Sequence, residues 1–198
     1  MKTIVAFTGY ASCGKDSFCN AMKSVIETEI PNKDVQIFSF AESLRHELDN
    51  FLQINFQVSA WEENREIKEK IVRPFLVAHG NARRYYSNNQ YWIDRLSKKI
   101  DSSECDIALI SDLRFAESDD DEIYWLKNKQ GLSFYVERYE NGKRIKPPNM
   151  FEKKNCIVLK KQADEVIKMN TEETDIDFNR ELKSKCTEIY KKYLHKFV

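Results

Sequence analysis

The sequence predicts an α/β fold of three layers, in which helices cover both faces of a parallel sheet of about five strands. Two observations lead to this prediction. Short apolar segments with the character of strands alternate along the chain with longer segments of helical periodicity, as in successive βαβ units. The first strand-like segment also passes, through a turn bounded by two glycines, directly into a helix-like segment. The chain has 198 residues, which is enough for one domain with a substantial core.

The individual elements are predicted from periodicity and from turn residues. Strands are expected at 4–8, 35–40, 106–111 and 133–137, and helices at 15–30, 41–52, 62–70, 74–78, 92–100, 118–130 and 180–197. Pro31 breaks the first helix, and Pro74 suits the first turn of the helix predicted at 74–78. Residues 80–90 are polar and predicted to be irregular. Residues 139–149 contain Asn-Gly and Pro-Pro and are predicted to be a loop, while 150–178 show no clear pattern.

Composition excludes several classes of function. Lysine plus arginine balance aspartate plus glutamate at 32 each, so the chain lacks the net positive charge that attracts nucleic acid or an anionic membrane. No apolar run approaches the ~20 residues of a membrane span, and no signal-peptide pattern is present, so a cytoplasmic protein is expected. Five cysteines without a Cys-x-x-Cys pair favour reduced thiols over disulfides or a zinc site. The three histidines show no metal-ligand spacing.

The turn after the first strand has the sequence of a phosphate-binding loop. It comprises Gly9, Tyr10, Ala11, Ser12, Cys13, Gly14, Lys15, Asp16 and Ser17. Backbone N–H groups of such a loop surround a phosphate, and the dipole of the following helix favours the anion. Lys15 is expected to reach the outer phosphates of a nucleoside triphosphate. The usual pattern has Ser or Thr directly after Gly-Lys, but here Asp16 precedes Ser17. Asp16 either ligates Mg²⁺, leaves that role to Ser17, or favours the helix start, and these alternatives stay open.

Polar side chains follow several strands at the edge where parallel sheets bind their ligands. Candidate clamps for phosphate are Arg45, Arg73, Arg83, Arg84, Arg114, Arg138 and Arg144. Arg45 and Arg114 come just after predicted strands, whereas Arg144 is expected to be exposed. Asp112 ends a buried strand and is a candidate to orient Mg²⁺ through water or to accept a substrate hydrogen bond. Trp92 is by default a core residue, and the acidic run 119–122 is interpreted as a solvated helix start.

Four stretches resemble the bacteriophage-type deoxynucleoside monophosphate kinases, relatives of the animal-type phosphomevalonate kinases. The loop is similar to the family's Gly-Lys-Asp-(Ser/Thr) version, and residues 40–45 resemble its Phe-Ala-(Asp/Gly)-Pro-Leu-(Lys/Arg) segment, with Ser43 in place of proline. Residues 73–92 resemble its Arg-x-x-Leu-Gln-x-x-Gly-Thr…Arg…Trp block, and 112–115 its Asp-Val-Arg-Phe segment. Val77 and Asn81 replace the Gln and Thr of that block, and Glu117 matches the family's acidic residue only after a one-residue shift.

The resemblance implies a single nucleotide kinase domain over 1–198, with a helical substrate-binding insertion at about 53–100 and a lid-like loop at about 138–150. It implies ATP and Mg²⁺ as cofactors and a deoxynucleoside monophosphate as substrate, in the host cytoplasm if the protein is of phage origin. The implied catalytic residues are Lys15, Asp16 and Arg114, and the implied ATP ligands are Gly9 to Ser17 and Arg138, with Mg²⁺ at Asp16 and Ser17. The acceptor would contact Arg45, Arg73, Arg83, Arg84, Trp92, Asp112, Arg114 and Glu117, with Trp92 and Asp112 on the nucleoside and Arg73 and Arg114 on its phosphate.

Two other functions remain open at the level of sequence. The same loop would serve a kinase of small metabolites such as phosphomevalonate, or a module that binds nucleotide without transferring phosphate. A function in direct nucleic-acid binding is not expected, because the charge balance offers no basic stripe. The apolar side of the last predicted helix is either part of the core or the interface of a homodimer.

Overall fold

The computed structural model describes residues 2–170 and 175–195 of the chain. The chain divides into two compact units. The first consists of Met1–Phe38 together with Ser102–Val198, and the second is Ser39–Asp101. The first unit contains the sheet and the phosphate-binding loop, and the second is built from helices.

The sheet of the first unit confirms the predicted parallel architecture. Its strands are β1 Thr3–Thr8, β2 Val35–Phe38, β3 Ile107–Leu113, β4 Leu132–Glu140, β5 Lys143–Arg144 and β6 Glu165–Asn170. The order is β2-β3-β1-β4, with β6 parallel to β4 on its far side and β5 antiparallel to the end of β4. β1 therefore lies in the middle, between β3 and β4 and parallel to both. This central position brings the loop after β1 to the carboxyl edge of the sheet.

Helices cover both faces of this sheet. Its helices are α1 Lys15–Glu29, α6 Glu122–Asn128, α7 Met150–Gln162 and α8 Asp175–Ile189, which continues as a π-helical turn, Tyr190–Leu194. Alternate strand residues such as Phe7 and Val136 share one apolar cluster with Met22 of α1 and Leu182 of α8. Glu137, the residue after Val136 in β4, lies on the opposite face of the sheet. There it accepts a hydrogen bond from Lys160 of α7. The predicted three-layer class is thereby confirmed.

The apolar side of α8 lies in the core of the first unit. Leu182, Cys186 and Ile189 are buried there beside α1 and β4. Of the two alternatives that the sequence left open for this face, the structure supports the core. A homodimer stays a prediction that would need another surface.

The second unit consists of helices around a small core of its own. Its helices are α2 Phe40–Phe56, α3 Arg65–Ile67, a π-helical turn at Lys68–Val72, α4 Arg73–Tyr86 and α5 Gln90–Ser102. The core comprises Leu48, Leu52, Val58, Ala60 and Val72. Gly80 lets α4 approach α2, since a Cβ there would lie 3.3 Å from Leu44 Cδ2. None of the helices in the described part of the chain has the length and apolarity to cross a membrane.

Several predicted boundaries are wrong, for local reasons. Residues 80–86 are helical rather than irregular, because packing of α4 outweighs the low helix propensity of glycine and asparagine. The helix predicted at 118–130 begins only at Glu122. The predicted loop 139–149 contains β5, joined to β4 by a turn in which Asn141 and Gly142 both have positive φ. The unpatterned stretch 150–178 holds α7 and β6.

We predict that Phe7→Ala destabilises the protein strongly. Phe7 is fully buried in the middle of the sheet, and its ring lies 5.8 Å from those of both Phe18 and Phe134. Removing the ring should lower the free energy of unfolding by about 3–5 kcal/mol. Urea denaturation measures this change. Tyr86→Ala is the control, since that side chain is 88% exposed and should contribute less than about 0.5 kcal/mol. Equal effects of the two substitutions would contradict the assigned core.

Candidate active site

The phosphate-binding loop joins β1 directly to α1, and its two glycines occupy conformations that other residues rarely adopt. Gly9 has φ 138°, and a Cβ there would lie 2.4 Å from the carbonyl oxygen of Val136 in β4. Gly14 has φ 95° and is the N-cap of α1, so the loop leads straight into the helix N-terminus. Thr8 Oγ1, at the end of β1, is buried without a hydrogen-bond partner. The strand–loop–helix context that the sequence predicted is present.

Lys15 is folded into the loop. Its side chain is buried, and Nζ donates hydrogen bonds to the carbonyl oxygens of Gly9 at 3.0 Å and Tyr10 at 2.8 Å. Nζ also lies 3.8 Å from Cys13 Sγ. Burial raises the pKa of Cys13 above its ordinary value, and the charge of Lys15 offsets only part of this rise. The thiol is therefore protonated at neutral pH and adds no negative charge beside Lys15.

A carboxylate from α7 is bound to the tip of the loop. Glu152 accepts a hydrogen bond from the backbone N–H of Ala11. Glu152 lies in the first turn of α7, where Asn149 Oδ1 caps the helix by accepting from the N–H of Glu152 at 2.8 Å. The loop thus already holds an anionic oxygen on a backbone donor, as a phosphate oxygen would be held. Sequence reasoning missed Glu152, because residues 150–178 show no readable pattern.

Two arginines of the β4–β5 hairpin lie against the loop. Arg138 Nη1 donates to the carbonyl oxygen of Ser12 at 3.1 Å. Arg144 Cζ lies 4.8 Å from the ring centre of Tyr10, and Nη2 donates to the hydroxyl of Tyr135 at 2.8 Å. The expectation that Arg144 is simply exposed is wrong: its Nε is buried and has no hydrogen-bond partner. The predicted lid-like segment 138–150 belongs to this hairpin only as far as Arg144, through the pairing of Tyr139 with Arg144 and of Glu140 with Lys143.

Arg144 shares a buried carboxylate with a lysine. Glu137 Oε1 lies 3.1 Å from Arg144 Nη2 and 2.7 Å from Lys160 Nζ. Burial alone would raise the pKa of Glu137, but the hydrogen bond from Lys160 and the charge of Arg144 outweigh it and hold the pKa below its usual value. Glu137 is therefore ionised at neutral pH and neutralises only one of the two cations.

The loop after β3 is held by buried acceptors. Arg114 N–H donates to Glu122 Oε2 at 2.7 Å, and Ala116 N–H donates to Asn155 Oδ1 at 2.8 Å. Glu117 N–H is bound by Asp121, which is fully buried. The interpretation of 119–122 as a solvated helix start is therefore wrong for Asp121 and Glu122. Their carboxylates satisfy backbone donors of the loop and fix it in place.

The candidate side chains of this edge differ in exposure. Asp112 is buried at the end of β3, whereas Arg114 and Glu117 are exposed on the fixed loop. Asp16 and Ser17 are exposed in the first turn of α1. Within the described ranges, no three His, Cys, Asp or Glu side chains form a group that would hold a metal ion by themselves. Mg²⁺ in phosphoryl-transfer sites usually has only one or two protein carboxylates and completes its shell with phosphate and water, and the exposed Asp16 suits that pattern.

The candidate acceptor residues of the second unit lie in contrasting surroundings. Trp92 is buried, and its Nε1–H donates to the carbonyl oxygen of Gly80 at 3.1 Å. Arg73 pairs with both carboxylate oxygens of Glu69 at 2.9 and 3.0 Å. Arg84 is buried as well, whereas Arg83 is about half-exposed at 47%. Arg45 Nε is buried without a hydrogen-bond partner.

Comparison with known proteins identifies no family for this chain. No protein-family model and no curated protein sequence matches it. Among solved structures, a shikimate kinase from Bacteroides thetaiotaomicron is 9% identical over 96% of this chain and 98% of its own, with a TM-score of 0.47. A gluconokinase from Sinorhizobium meliloti 1021 is 10% identical over 98% and 97%, with a TM-score of 0.41. A thymidylate kinase from Ehrlichia chaffeensis is 14% identical over 95% and 98%, also with a TM-score of 0.41. At such low identity and TM-score these similarities leave the substrate undetermined.

We predict that Glu152→Gln tightens the binding of ATP. The carboxylate of Glu152 occupies a backbone donor of the loop and repels an incoming phosphate, and the amide keeps its size without the charge. Removing one negative charge next to the bound phosphate should strengthen the binding of ATP about tenfold. Titration calorimetry with a non-hydrolysable ATP analogue measures the affinity.

Glu104→Gln is the matched control for this substitution. Glu104 is exposed ahead of β3, at the amino edge of the sheet, and its replacement removes the same charge far from the loop. Unchanged or weaker binding in Glu152→Gln would refute competition between the carboxylate and the nucleotide.

Proposed function

We propose that this protein transfers the γ-phosphate of ATP to the phosphate group of a deoxynucleoside monophosphate, which yields ADP and a deoxynucleoside diphosphate. The single observation that carries the proposal is the loop after β1. It combines a glycine pressed against β4, a buried lysine among its carbonyl groups, and a backbone N–H that already binds a carboxylate oxygen. These are the properties of a loop that cradles phosphate.

The residues around the loop suit the donor side of this reaction. When bound, ATP with Mg²⁺ would supply the phosphoryl group and the metal charge that neutralises it. To reach the outer phosphates, Lys15 needs only to break its hydrogen bonds to two carbonyl groups. Glu152 needs only to release the N–H of Ala11. Arg138 and Arg144 lie beside the same loop, and both are already paired with carboxylates, Arg138 with Glu140 at 3.1 Å and Arg144 with Glu137. Asp16 and Ser17 would hold Mg²⁺ from the first turn of α1.

Phosphoryl transfer depends on positioning and on charge neutralisation more than on a covalent nucleophile. Arg114 is suited to this task, because buried carboxylates and an amide fix its backbone while its side chain stays exposed. Asp112 is buried at the end of the neighbouring strand and would accept a hydrogen bond from the acceptor. Glu117, on the same loop, is exposed. It is the third residue of this unit that is proposed to contact the substrate.

One observation favours a second candidate function. Trp92 would stack on a nucleobase if the acceptor were a nucleotide, but its ring is buried and its N–H is bound within the second unit. A kinase that phosphorylates a small phosphorylated metabolite, such as phosphomevalonate, does not need that ring. The choice between the two acceptors therefore rests on an assay rather than on Trp92.

We predict acceptor-dependent formation of ADP. A coupled ADP-release assay with ATP and Mg²⁺ should show turnover with at least one of the four deoxynucleoside monophosphates and none with the corresponding deoxynucleosides. Turnover with phosphomevalonate alone would establish the second candidate. Binding of ATP in calorimetry without turnover on any acceptor would refute a kinase and leave a nucleotide-binding module.

We predict that Lys15→Ala abolishes this transfer. The substitution removes the buried ammonium group from the loop, and with it the charge that meets the outer phosphates. The acceptor-dependent rate should fall at least a hundredfold, which corresponds to about 2.7 kcal/mol of transition-state stabilisation. Lys129→Ala serves as the control, because Lys129 is an exposed residue at the end of α6. A rate near that of the wild type in Lys15→Ala would refute the role of the lysine.

A further inference from the structure

Five side chains of the second unit meet in a cluster that sequence reasoning did not identify. Glu47 of α2, His79 and Arg83 of α4, and Tyr91 and Arg95 of α5 form what we call the Glu47 cluster. Glu47 Oε1 accepts from the hydroxyl of Tyr91 at 2.5 Å and lies 3.0 Å from Arg95 Nη2. Glu47 Oε2 lies 2.9 Å from His79 Nε2 and 3.4 Å from Arg83 Nη2. One carboxylate thus contacts donors from two other helices.

The two arginines of the cluster are held in fixed positions. Arg83 Cζ lies 4.7 Å from the ring centre of Tyr91, and Arg95 Cζ lies 5.1 Å from the same centre. Arg95 Nη2 also donates to the hydroxyl of Tyr91 at 2.7 Å. Arginine side chains on a helix surface are usually mobile, and ordering them costs free energy when a ligand binds. Here the stacking on Tyr91 and the contacts with Glu47 have ordered them beforehand.

The charges of the Glu47 cluster do not balance. Burial would raise the pKa of Glu47, but hydrogen bonds from Tyr91 and His79 and the charges of Arg83 and Arg95 outweigh it, so the pKa lies below its usual value. At neutral pH one carboxylate therefore faces two guanidinium groups, and one positive charge is left over. Like charges held side by side are unfavourable unless a second anion joins them.

Exposure within the cluster leaves the two cations open to a ligand. The carboxylate side chain of Glu47 is 17% exposed, whereas the side chains of Arg83 and Arg95 are 47% and 51% exposed. A guanidinium group has five N–H donors, more than the contacts within the cluster use. Two such groups held on one carboxylate suit the oxygens and the nearly double charge of a phosphate monoester. Arg73 is less suited, because both oxygens of Glu69 already bind it.

We infer that the Glu47 cluster binds the phosphate group of the acceptor, with Arg83 and Arg95 in direct contact with it. Glu47 and Tyr91 act as positioning residues for the two arginines. The inference rests on the proposed function for the identity of the anion, a phosphate monoester. It adds Arg95 to the arginines that the sequence identified, and it gives Arg83 a partner.

Binding experiments test this inference on the full chain. Titration calorimetry is carried out with the four deoxynucleoside monophosphates, the corresponding deoxynucleosides and inorganic phosphate. Arg83→Met and Arg95→Met should each weaken monophosphate binding at least tenfold and leave any binding of the deoxynucleosides unchanged. Lys70→Met is the matched control, because it removes one charge from an exposed i,i+4 pair with Glu66 in the same unit. It should bind like the wild type.

Three results would overturn the inference. The first is monophosphate affinity within twofold of the wild type in both arginine variants. This result would count against the inference even if the variants unfolded at a lower temperature. The second is an equal loss in Lys70→Met, which would indicate a general effect of charge. The third is a Lys15→Ala variant, with its loop disabled, that binds neither a monophosphate nor inorganic phosphate.

Kinetics separate the inference from the proposed function. If Arg83→Met and Arg95→Met keep the wild-type KM for the acceptor while ADP is formed, the inference fails and the function stands. If monophosphates bind through the two arginines but no ADP forms, the inference stands and the function fails. Glu47→Gln distinguishes positioning from stability, because it should raise the acceptor KM while leaving the affinity for ATP unchanged.

Discussion

The close approach of Gly9 to β4 is the constraint on which the candidate donor site depends. A side chain at this position would collide with the carbonyl oxygen of Val136, so only glycine allows β4 to run beside the start of the loop. Because β4 lies there, the hairpin that follows it brings Arg138 and Arg144 to the loop. The order of strands also brings Asp112 to this edge of the sheet. β1 lies between β3 and β4, so the loop after β1 is at the same edge as the end of β3, where Asp112 lies. One missing Cβ thus determines which side chains can meet a phosphate.

Electrostatics at the loop is a balance between groups that belong to the chain. Lys15 is satisfied by carbonyl oxygens, and Ala11 is satisfied by the carboxylate of Glu152. A phosphate would replace both kinds of partner at once, because it accepts from N–H and from ammonium groups alike. The contacts within the chain therefore keep polar groups satisfied until an anion exchanges with them. An entering phosphate must displace these contacts, so they lower its affinity for the loop, in keeping with the tighter binding expected of Glu152→Gln.

The sequence predicted structure that depends on neighbouring residues, but it missed contacts between residues that lie far apart along the chain. β1, the loop and α1 follow one another along the chain, so their glycines, lysine and strand character predicted their structure. Arg144 was expected to be exposed, because nothing in its neighbourhood reveals that Tyr10, Tyr135 and Glu137 would surround it. Asp121 and Glu122 looked like a solvated helix start, and only the turn after β3 makes them buried acceptors. Trp92 was expected by default to be a core residue, and its burial agrees with that expectation. The contact with a nucleoside that the motif implied stays a prediction.

A balanced net charge conceals two local surpluses of positive charge that have the same construction. In the first unit Glu137 lies between Arg144 and Lys160, and in the second Glu47 lies between Arg83 and Arg95. In each case a carboxylate with a lowered pKa, fully buried in Glu137 and partly buried in Glu47, fixes two cations and neutralises one. The carboxylate makes it possible to hold like charges together, and the remaining charge is what an anionic ligand would meet. A kinase of phosphorylated acceptors needs two such places, one for each anionic reactant, which is why a chain of zero net charge is compatible with that chemistry.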